Sequence, residues 1–193
     1  FSAVFSGVAP RTVLVGMHGC GKSQLAAAVA ARCVEEEWPL VAWVNAESRG
    51  SVLEGLSELG QRIGVGETDD RTPETLARRC IEALEEAEEA DRLVVFDNVE
   101  RADDLRDLVP RGEGLRVLAT TTKRVDWEQA HWTPIRVGVF EREQSITMLL
   151  GRTGWTDRDA ANTIADALGD LPVAVSQAAA TIKRSRCGLA TYL

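Results

Sequence analysis

The segment from Thr12 to Glu36 constrains the fold more than any other part of this sequence. Thr12 to Val15 is a short β-branched run, Gly16 to Ser23 is a glycine-rich turn, and Gln24 to Glu36 is an alanine-rich stretch of strong helix formers. The three parts predict a strand, a loop and a helix in direct succession. Since a connection through a helix returns the next strand in the same direction, we expect a sheet of parallel strands.

Strand and helix predictions alternate over the first 139 residues. Continuous apolar runs predict further strands, at Leu40 to Val44, Leu93 to Phe96, Leu115 to Ala119 and, more weakly, Ile135 to Val139. Apolar residues at helical spacing predict helices between them, at Ser48 to Ile63 and from Thr72 onward. Together these elements predict an α/β fold with a five-stranded, mostly parallel sheet flanked by helices. Ligands of such sheets bind at the carboxyl ends of the strands.

The chain changes character after Phe140. The stretches that follow predict helices separated by glycines, at Glu141 to Leu150, Asp157 to Leu168 and Leu171 to Arg184. No strand is predicted there. We therefore expect an α/β domain at residues 1–139 and a small all-helical subdomain at residues 140–193.

Charge and hydropathy argue against two classes of partner. The formal net charge is −8, and the sequence lacks the clustered Lys and Arg that bind phosphate backbones. No direct nucleic-acid contact is therefore expected. The longest apolar runs fall well short of the ~20 residues of a membrane-spanning helix, and no signal peptide is visible. We expect a cytoplasmic location with reduced cysteines, and the start at Phe1 in place of Met indicates a fragment. The acidic run Glu85 to Asp91 predicts the solvated face of a helix.

The glycine-rich turn satisfies the P-loop pattern, a glycine, four residues and then glycine, lysine and serine. Its backbone N–H groups can surround phosphates, the following helix directs its positive end at them, and Lys22 adds a full charge. The Ser23 hydroxyl is a candidate Mg²⁺ ligand. The side chains of His18 and Cys20 are expected to be tolerated in the loop without a catalytic role. The predicted nucleotide-binding residues here are Gly16, Gly19, Cys20, Gly21, Lys22, Ser23 and Gln24.

Asp97 follows the predicted strand Leu93 to Phe96, where a carboxylate can hold Mg²⁺. The next residue is Asn98, which cannot accept a proton from water as an acid would. Because a general base typically supplies ~10²-fold to 10⁴-fold in rate, we predict at most a weak Mg-dependent ATPase. The candidate catalytic positions are Lys22, Asp97 and Asn98, and the candidate metal ligands are Ser23 and Asp97.

Alternative functions stay open at this point. One is an efficient P-loop ATPase motor, a second is a small-molecule kinase, and a third is an interaction scaffold with a vestigial P-loop. Thr122 to Asp126 is similar to the guanine-reading motif T-K-x-D, but its aspartate comes one residue late, which argues against GTP.

The ordered set of motifs resembles that of NB-ARC domains, which belong to the STAND class of AAA+-related signalling ATPases and occur in many bacterial regulators. Leu168 to Val175 is similar to the family's G-L-P-L motif, and Val41 to Glu47 is similar to its second-strand motif. The resemblance implies adenine-nucleotide binding with Pro172 beside the base. It also implies a switch with an ADP off-state and an ATP on-state, and an ARC1-like helical subdomain that closes over the nucleotide.

The resemblance carries expectations about parts of the protein beyond this sequence. It implies a winged-helix domain after Leu193, helical repeats further on and a nucleotide-dependent homo-oligomer. The family commonly has T-T-R after the fourth strand, with an arginine that senses the γ-phosphate, whereas Thr122 occupies that place here. Lys123 and Arg124 are the candidates to replace it.

Overall fold

The computed structural model describes residues 10–65, 72–88 and 91–192. The chain divides into two compact units, of which the first comprises the residues up to Gly16 together with Lys22–Arg136. The second comprises Met17–Gly21 and the residues from Val137 onward. Met17–Gly21 thus groups with the C-terminal part of the chain. The domain bounds of 1–139 and 140–193 stay a prediction.

The first unit is built on a five-stranded sheet in which every pair of neighbouring strands is parallel. Its strands are β1 (Arg11–Val15), β2 (Leu40–Asn45), β3 (Arg92–Val99), β4 (Leu115–Thr121) and β5 (Thr133–Arg136). Their order across the sheet is β2-β3-β4-β1-β5. The predicted fold class is confirmed, and the "mostly parallel" sheet is parallel throughout its described pairs.

The α-helices that the structure describes beside this sheet are α1 (Lys22–Glu35), α2 (Arg49–Arg62) and α3 (Pro73–Glu86), and a single 3-10 turn lies at Ala102–Leu105. The hydroxyl of Ser48 accepts a hydrogen bond from the Ser51 N–H and caps α2. Thr72 caps α3 in the same way, with a proline at the first helical position. These local signals explain why both helices begin where the sequence predicts.

Helices cover both faces of the sheet because side chains alternate along each strand. Val94 and Phe96 of β3 are fully buried in one apolar cluster with residues of α2 and α3. Leu93 and Val95, at the alternate positions, are equally buried and face the other side, where α1 packs against β3 and β4. β3 and β4 therefore carry the core, and the buried strands lead directly to their carboxyl ends.

The helical face predicted for Glu85 to Asp91 is wrong at Ala87, Glu88 and Asp91. α3 ends at Glu86, Ala87 has extended backbone, and residues 89–90 lie outside the described residues. Arg92, only 2% exposed, donates hydrogen bonds to the Leu84 carbonyl at 2.5 Å and to the Glu113 carbonyl at 2.9 Å. It thereby satisfies a carbonyl of the last helical turn, which ties the end of α3 to the start of β3.

The second unit contains the helices α4 (Arg142–Thr153), α5 (Arg158–Ala167), α6 (Pro172–Ser185) and the short α7 (Leu189–Tyr192). Its apolar core is separate from that of the sheet, and Leu149, Ile164 and Ile182 are at most 1% exposed within it. Glu141 and Gln144 form a capping box at the start of α4. Among the described residues, no helix has the length and apolar character needed to cross a membrane.

Candidate nucleotide-binding site

The end of the P-loop lies at the start of α1. Lys22 is the first residue of the helix and is only 9% exposed, whereas Ser23 and Gln24 are exposed. Gly16, at the other end of the loop, donates its N–H to the Thr121 carbonyl at 3.2 Å. The loop therefore leaves the sheet beside the end of β4, as a phosphate site at the carboxyl ends of the strands requires.

A bulge at the end of β3 sets the position of Asp97. Phe96 pairs with Ala119 and Val99 pairs with Thr121, so β3 carries one residue more than β4 over this interval. Asn98 takes up the difference with a left-handed backbone at φ 67°. The strand predicted to end at Phe96 thus continues to Val99, because tertiary pairing with β4 extends it past the carboxylate.

The Asp97 carboxylate is the centre of a hydrogen-bond network. Its Oδ1 accepts from the Ser23 hydroxyl at 2.8 Å and from the Thr120 hydroxyl at 2.5 Å. Thr120 Oγ1 also accepts from the Asn98 N–H at 2.8 Å. Since a hydroxyl has a single proton, Thr120 gives it to Asp97 and uses a lone pair for Asn98. The network unites the P-loop, the end of β3 and the end of β4.

The donor set of this network fits Mg²⁺. A serine hydroxyl and an aspartate carboxylate are hard oxygen ligands, and Mg²⁺ in nucleotide sites is held by one or two such groups together with phosphate oxygens. Ser23 and Asp97 are in direct contact, so one ion can be reached from both. Such an ion would neutralise charge on the phosphates. The assignment of these two residues as metal ligands stays a prediction.

The position after Asp97 offers no acid. Asn98 is exposed and carries a neutral amide, and its N–H is used by Thr120. Glu100, further along the same segment, places its carboxylate 2.8 Å from the Lys123 ammonium. The structure therefore shows Lys123, one of the two candidates to replace the sensor arginine, in an ion pair, while Arg124 is exposed.

The tip of the P-loop belongs to the second unit. Gly19 has a left-handed backbone at φ 79°, and its carbonyl accepts a hydrogen bond from the Val173 N–H at 3.1 Å. A Cβ at Gly19 would overlap the Val173 side chain, so only glycine fits. Cys20 is buried and His18 is exposed. Pro172 is the buried first residue of α6, where its missing N–H costs no helical hydrogen bond.

Two features of this region are not among those that the sequence predicts. The first is Thr120, which directly follows the run Leu115 to Ala119; a polar residue at the end of a buried strand, beside the Asp97 strand, is a usable signal for a site residue. Trp127 and Trp132 are 2% and 5% exposed and meet edge-to-face with 6.0 Å between ring centroids. Trp127 also donates its indole N–H to the Lys123 carbonyl at 3.1 Å, which anchors the loop after β4.

Known proteins resemble this chain in sequence and in fold. Regulatory protein AfsR of Streptomyces griseus is 29% identical over 181 residues, and AfsR of Streptomyces coelicolor is 29% identical over 182 residues, each match covering 91% of this chain. The chain spans only 18% of the length of either relative.

Two solved structures have a similar fold. The structure of Drosophila ORC bound to DNA matches with a TM-score of 0.62 and 15% identity, covering 93% of this chain and 58% of that chain. A STAND protein with a tetratricopeptide repeat sensor from Pyrococcus horikoshii matches with a TM-score of 0.57 and 16% identity, covering 86% of this chain and 27% of that chain. At these identities the likeness shows the fold alone, that of a P-loop NTPase.

The family is shown by the extent of the sequence match. Residues 9–159 match the NB-ARC domain, which is well over half of the chain. The order of the motifs along the chain agrees with the family that the sequence resembles: the P-loop follows β1, the Asp97 strand comes next, and the helical part begins after Arg136. This chain therefore belongs to the NB-ARC family, the nucleotide-binding modules of STAND-class P-loop NTPases.

Proposed function

We propose that this domain is an adenine-nucleotide switch of a multidomain STAND regulator, with an ADP off-state, an ATP on-state and slow hydrolysis at most. One observation carries the proposal. The carboxylate of Asp97 is joined to the P-loop through Ser23, while the neighbouring position is the neutral Asn98. A site that can hold Mg²⁺ and phosphates but lacks a base beside them suits a switch better than a fast enzyme.

The proposed roles follow from the chemistry of each residue. Lys22 and the N–H groups of the P-loop hold the phosphates, while Ser23 and Asp97 hold Mg²⁺. Pro172 borders the adenine base. In support, the Val173 N–H reaches the Gly19 carbonyl, so the start of α6 meets the tip of the phosphate loop within the second unit.

The proposed partners lie in the rest of the protein. Since the chain spans 18% of the length of its Streptomyces relatives, we propose that further domains, including a winged-helix domain and helical repeats, read the nucleotide state. A change from ADP to ATP can shift the protein only if the two states differ in their contacts with the nucleotide. We propose that the shift leads to a homo-oligomer in the cytoplasm.

An efficient ATPase motor is the main alternative, and it needs a general base. The next carboxylate in the sequence after Asn98 is that of Glu100, which forms an ion pair with the Lys123 ammonium at 2.8 Å. This pairing disfavours the motor, because the Glu100 carboxylate is held by the Lys123 ammonium in place of a water molecule.

Calorimetry and a steady-state ATPase assay test the proposal together. We expect the wild-type domain to bind Mg-ADP and Mg-ATP but not Mg-GTP, and to turn over slowly. Replacing Asn98 by aspartate restores an acid, so the rate should rise about 10-fold or more, a conservative share of what general bases supply. Several turnovers per second in the wild type, or binding of GTP in preference to ATP, would contradict the proposal.

A further inference from the structure

Arg142, the first residue of α4, donates side-chain hydrogen bonds to three other residues of the second unit. Its Nε donates to both carboxylate oxygens of Asp170 at 3.0 and 3.1 Å, and its Nη2 donates to Asp170 Oδ2 at 2.9 Å. Nη2 also reaches Asp166 at 2.9 Å, and Nη1 reaches the Asn162 side chain at 3.1 Å. The planar guanidinium thus joins the start of α4 to α5 and to the segment that precedes α6.

The segment that Arg142 holds has an unusual backbone. Gly169 and Asp170 are both left-handed, at φ 59° and 54°. An aspartate in this region costs more than a glycine, so the surrounding contacts must maintain it. The Asp170 carbonyl accepts from the Phe140 N–H at 3.0 Å, and hydrogen bonds from Arg142 lower the pKa of the Asp170 carboxyl. Both the backbone and the side chain of Asp170 are therefore fixed from the start of α4.

The same segment meets the P-loop three residues later. The Val173 N–H donates to the Gly19 carbonyl at 3.1 Å. Because a trans peptide points its C=O and N–H in opposite directions, this bond also sets the direction of the Cys20 N–H, away from Val173. The Cys20 N–H of the P-loop is thus oriented by the hydrogen bond from Val173 to Gly19, and the position of Val173 depends on the segment that contains Asp170.

We propose that Arg142 is a positioning residue for nucleotide binding: its ion pair with Asp170 fixes the start of α6, and the start of α6 fixes the peptide between Gly19 and Cys20. The inference rests on the proposed function, because it concerns the same phosphate loop. Loss of the ion pair should loosen the loop and weaken nucleotide binding without unfolding the domain.

The chain offers a matched control for this test. Arg158, in the same unit, donates from Nη2 to both carboxylate oxygens of Glu143 at 2.6 and 2.8 Å, and both of these side chains are more than half exposed. This second ion pair joins α4 to α5, and within the described part of the chain its hydrogen bonds do not include residues 169–173. Arg158→Gln therefore removes an arginine–carboxylate ion pair of the same unit without touching the proposed connection.

The experiment compares Arg142→Gln, Asp170→Asn, their double variant and Arg158→Gln, with Arg142→Lys as a milder change should Arg142→Gln fold poorly. Two quantities are measured: amide hydrogen exchange of peptides covering residues 17–23 without nucleotide, and the affinity for a fluorescent ADP analogue. We expect both single variants to exchange faster in the loop and to bind about five-fold more weakly or worse, the lower end of couplings between sites. The double variant should be no weaker than the worse single variant, because both remove one interaction.

The outcomes separate this inference from the proposed function. Unchanged loop exchange and unchanged affinity in a folded Arg142→Gln variant, or equal losses in Arg158→Gln, would overturn the positioning role while nucleotide binding stands. If the wild type binds no nucleotide, the proposed function fails and the nucleotide part of this inference fails with it. Faster loop exchange in Arg142→Gln would then still show the connection between Arg142 and the loop.

Discussion

Replacing Thr120 by valine tests how much the hydrogen-bond network around Asp97 contributes to the free energy of unfolding. Thr120 is 1% exposed, and its hydroxyl both donates to Asp97 and accepts from the Asn98 N–H. Valine has nearly the same shape but no hydroxyl. The substitution therefore removes two hydrogen bonds and creates almost no cavity.

The expected cost can be worked from these two bonds. A part-buried N–H left without a partner costs about 1–3 kcal/mol, and a hydrogen bond to a charged group contributes about 1.5–3 kcal/mol. Asp97 keeps its bond to Ser23 and is partly accessible to water, so the second figure applies only in part. We expect Thr120→Val to lower the free energy of unfolding by about 2–4 kcal/mol.

Thr120→Ser is the matched control, since it keeps the hydroxyl and loses only a methyl group. Its expected cost is about 0.5–1.5 kcal/mol, the range for removal of one buried methyl. Urea unfolding followed by tryptophan fluorescence measures both variants, and a Mg²⁺ titration at fixed nucleotide shows whether the valine variant alone needs more metal. A valine variant as stable as the serine variant, with the same Mg²⁺ requirement, would refute the reasoning.

Two further predictions concern Gly19 and the buried cysteines. Gly19→Ala should lower the free energy of unfolding by about 1–2 kcal/mol because of the left-handed backbone, and further because the new Cβ overlaps Val173. It should also weaken nucleotide binding. Gly138→Ala is the control: an added Cβ there meets nothing within 4 Å, so its thermal unfolding should be unchanged. Burial raises the pKa of Cys33 to about 11 and that of Cys80 to about 12 from the ordinary 9.0. Because the unfolded thiols then lose protons first, the free energy of unfolding should be steady below pH 9 and fall from there towards pH 11 and 12. Urea titrations across this range check it, and an equal fall in a Cys80→Ala variant would count against Cys80 as a source.

The fold was predictable because its signals are local. The strand, glycine loop and helix from Thr12 to Glu36 follow from composition alone, and Ser48 and Thr72 mark helix starts through side-chain capping. The runs that form β1, β3 and β4 are buried on both faces, and this burial makes them continuous in place of alternating. In β2, by contrast, burial alternates, and Trp43 is 45% exposed. The family resemblance, which rests on the order of these motifs, is confirmed as well.

The features that the sequence did not predict depend on contacts between distant segments. The bulge at Asn98 exists because β3 pairs with β4 past Asp97, and no local pattern marks it. α3 ends at Glu86 although the acidic run favours a longer helix. Arg92 of β3 donates a hydrogen bond to the Leu84 carbonyl in the last turn of α3, and this contact joins the end of the helix to the strand. The weak strand predicted at Ile135 to Val139 lies at Thr133–Arg136, where pairing with β1 selects the register.

Identification of the nucleotide carried by the purified domain tests the central claim most directly. The protein is denatured and any released nucleotide is identified by chromatography, with a Lys22→Ala variant purified in parallel. We predict near-stoichiometric ADP from the wild type and none from the variant, because Lys22 supplies the full positive charge at the phosphate site. Guanine nucleotide, or the same amount of ADP from both proteins, would contradict the assignment. If neither protein releases nucleotide and neither binds added Mg-ADP or Mg-ATP, the domain is a scaffold with a vestigial P-loop and not a switch.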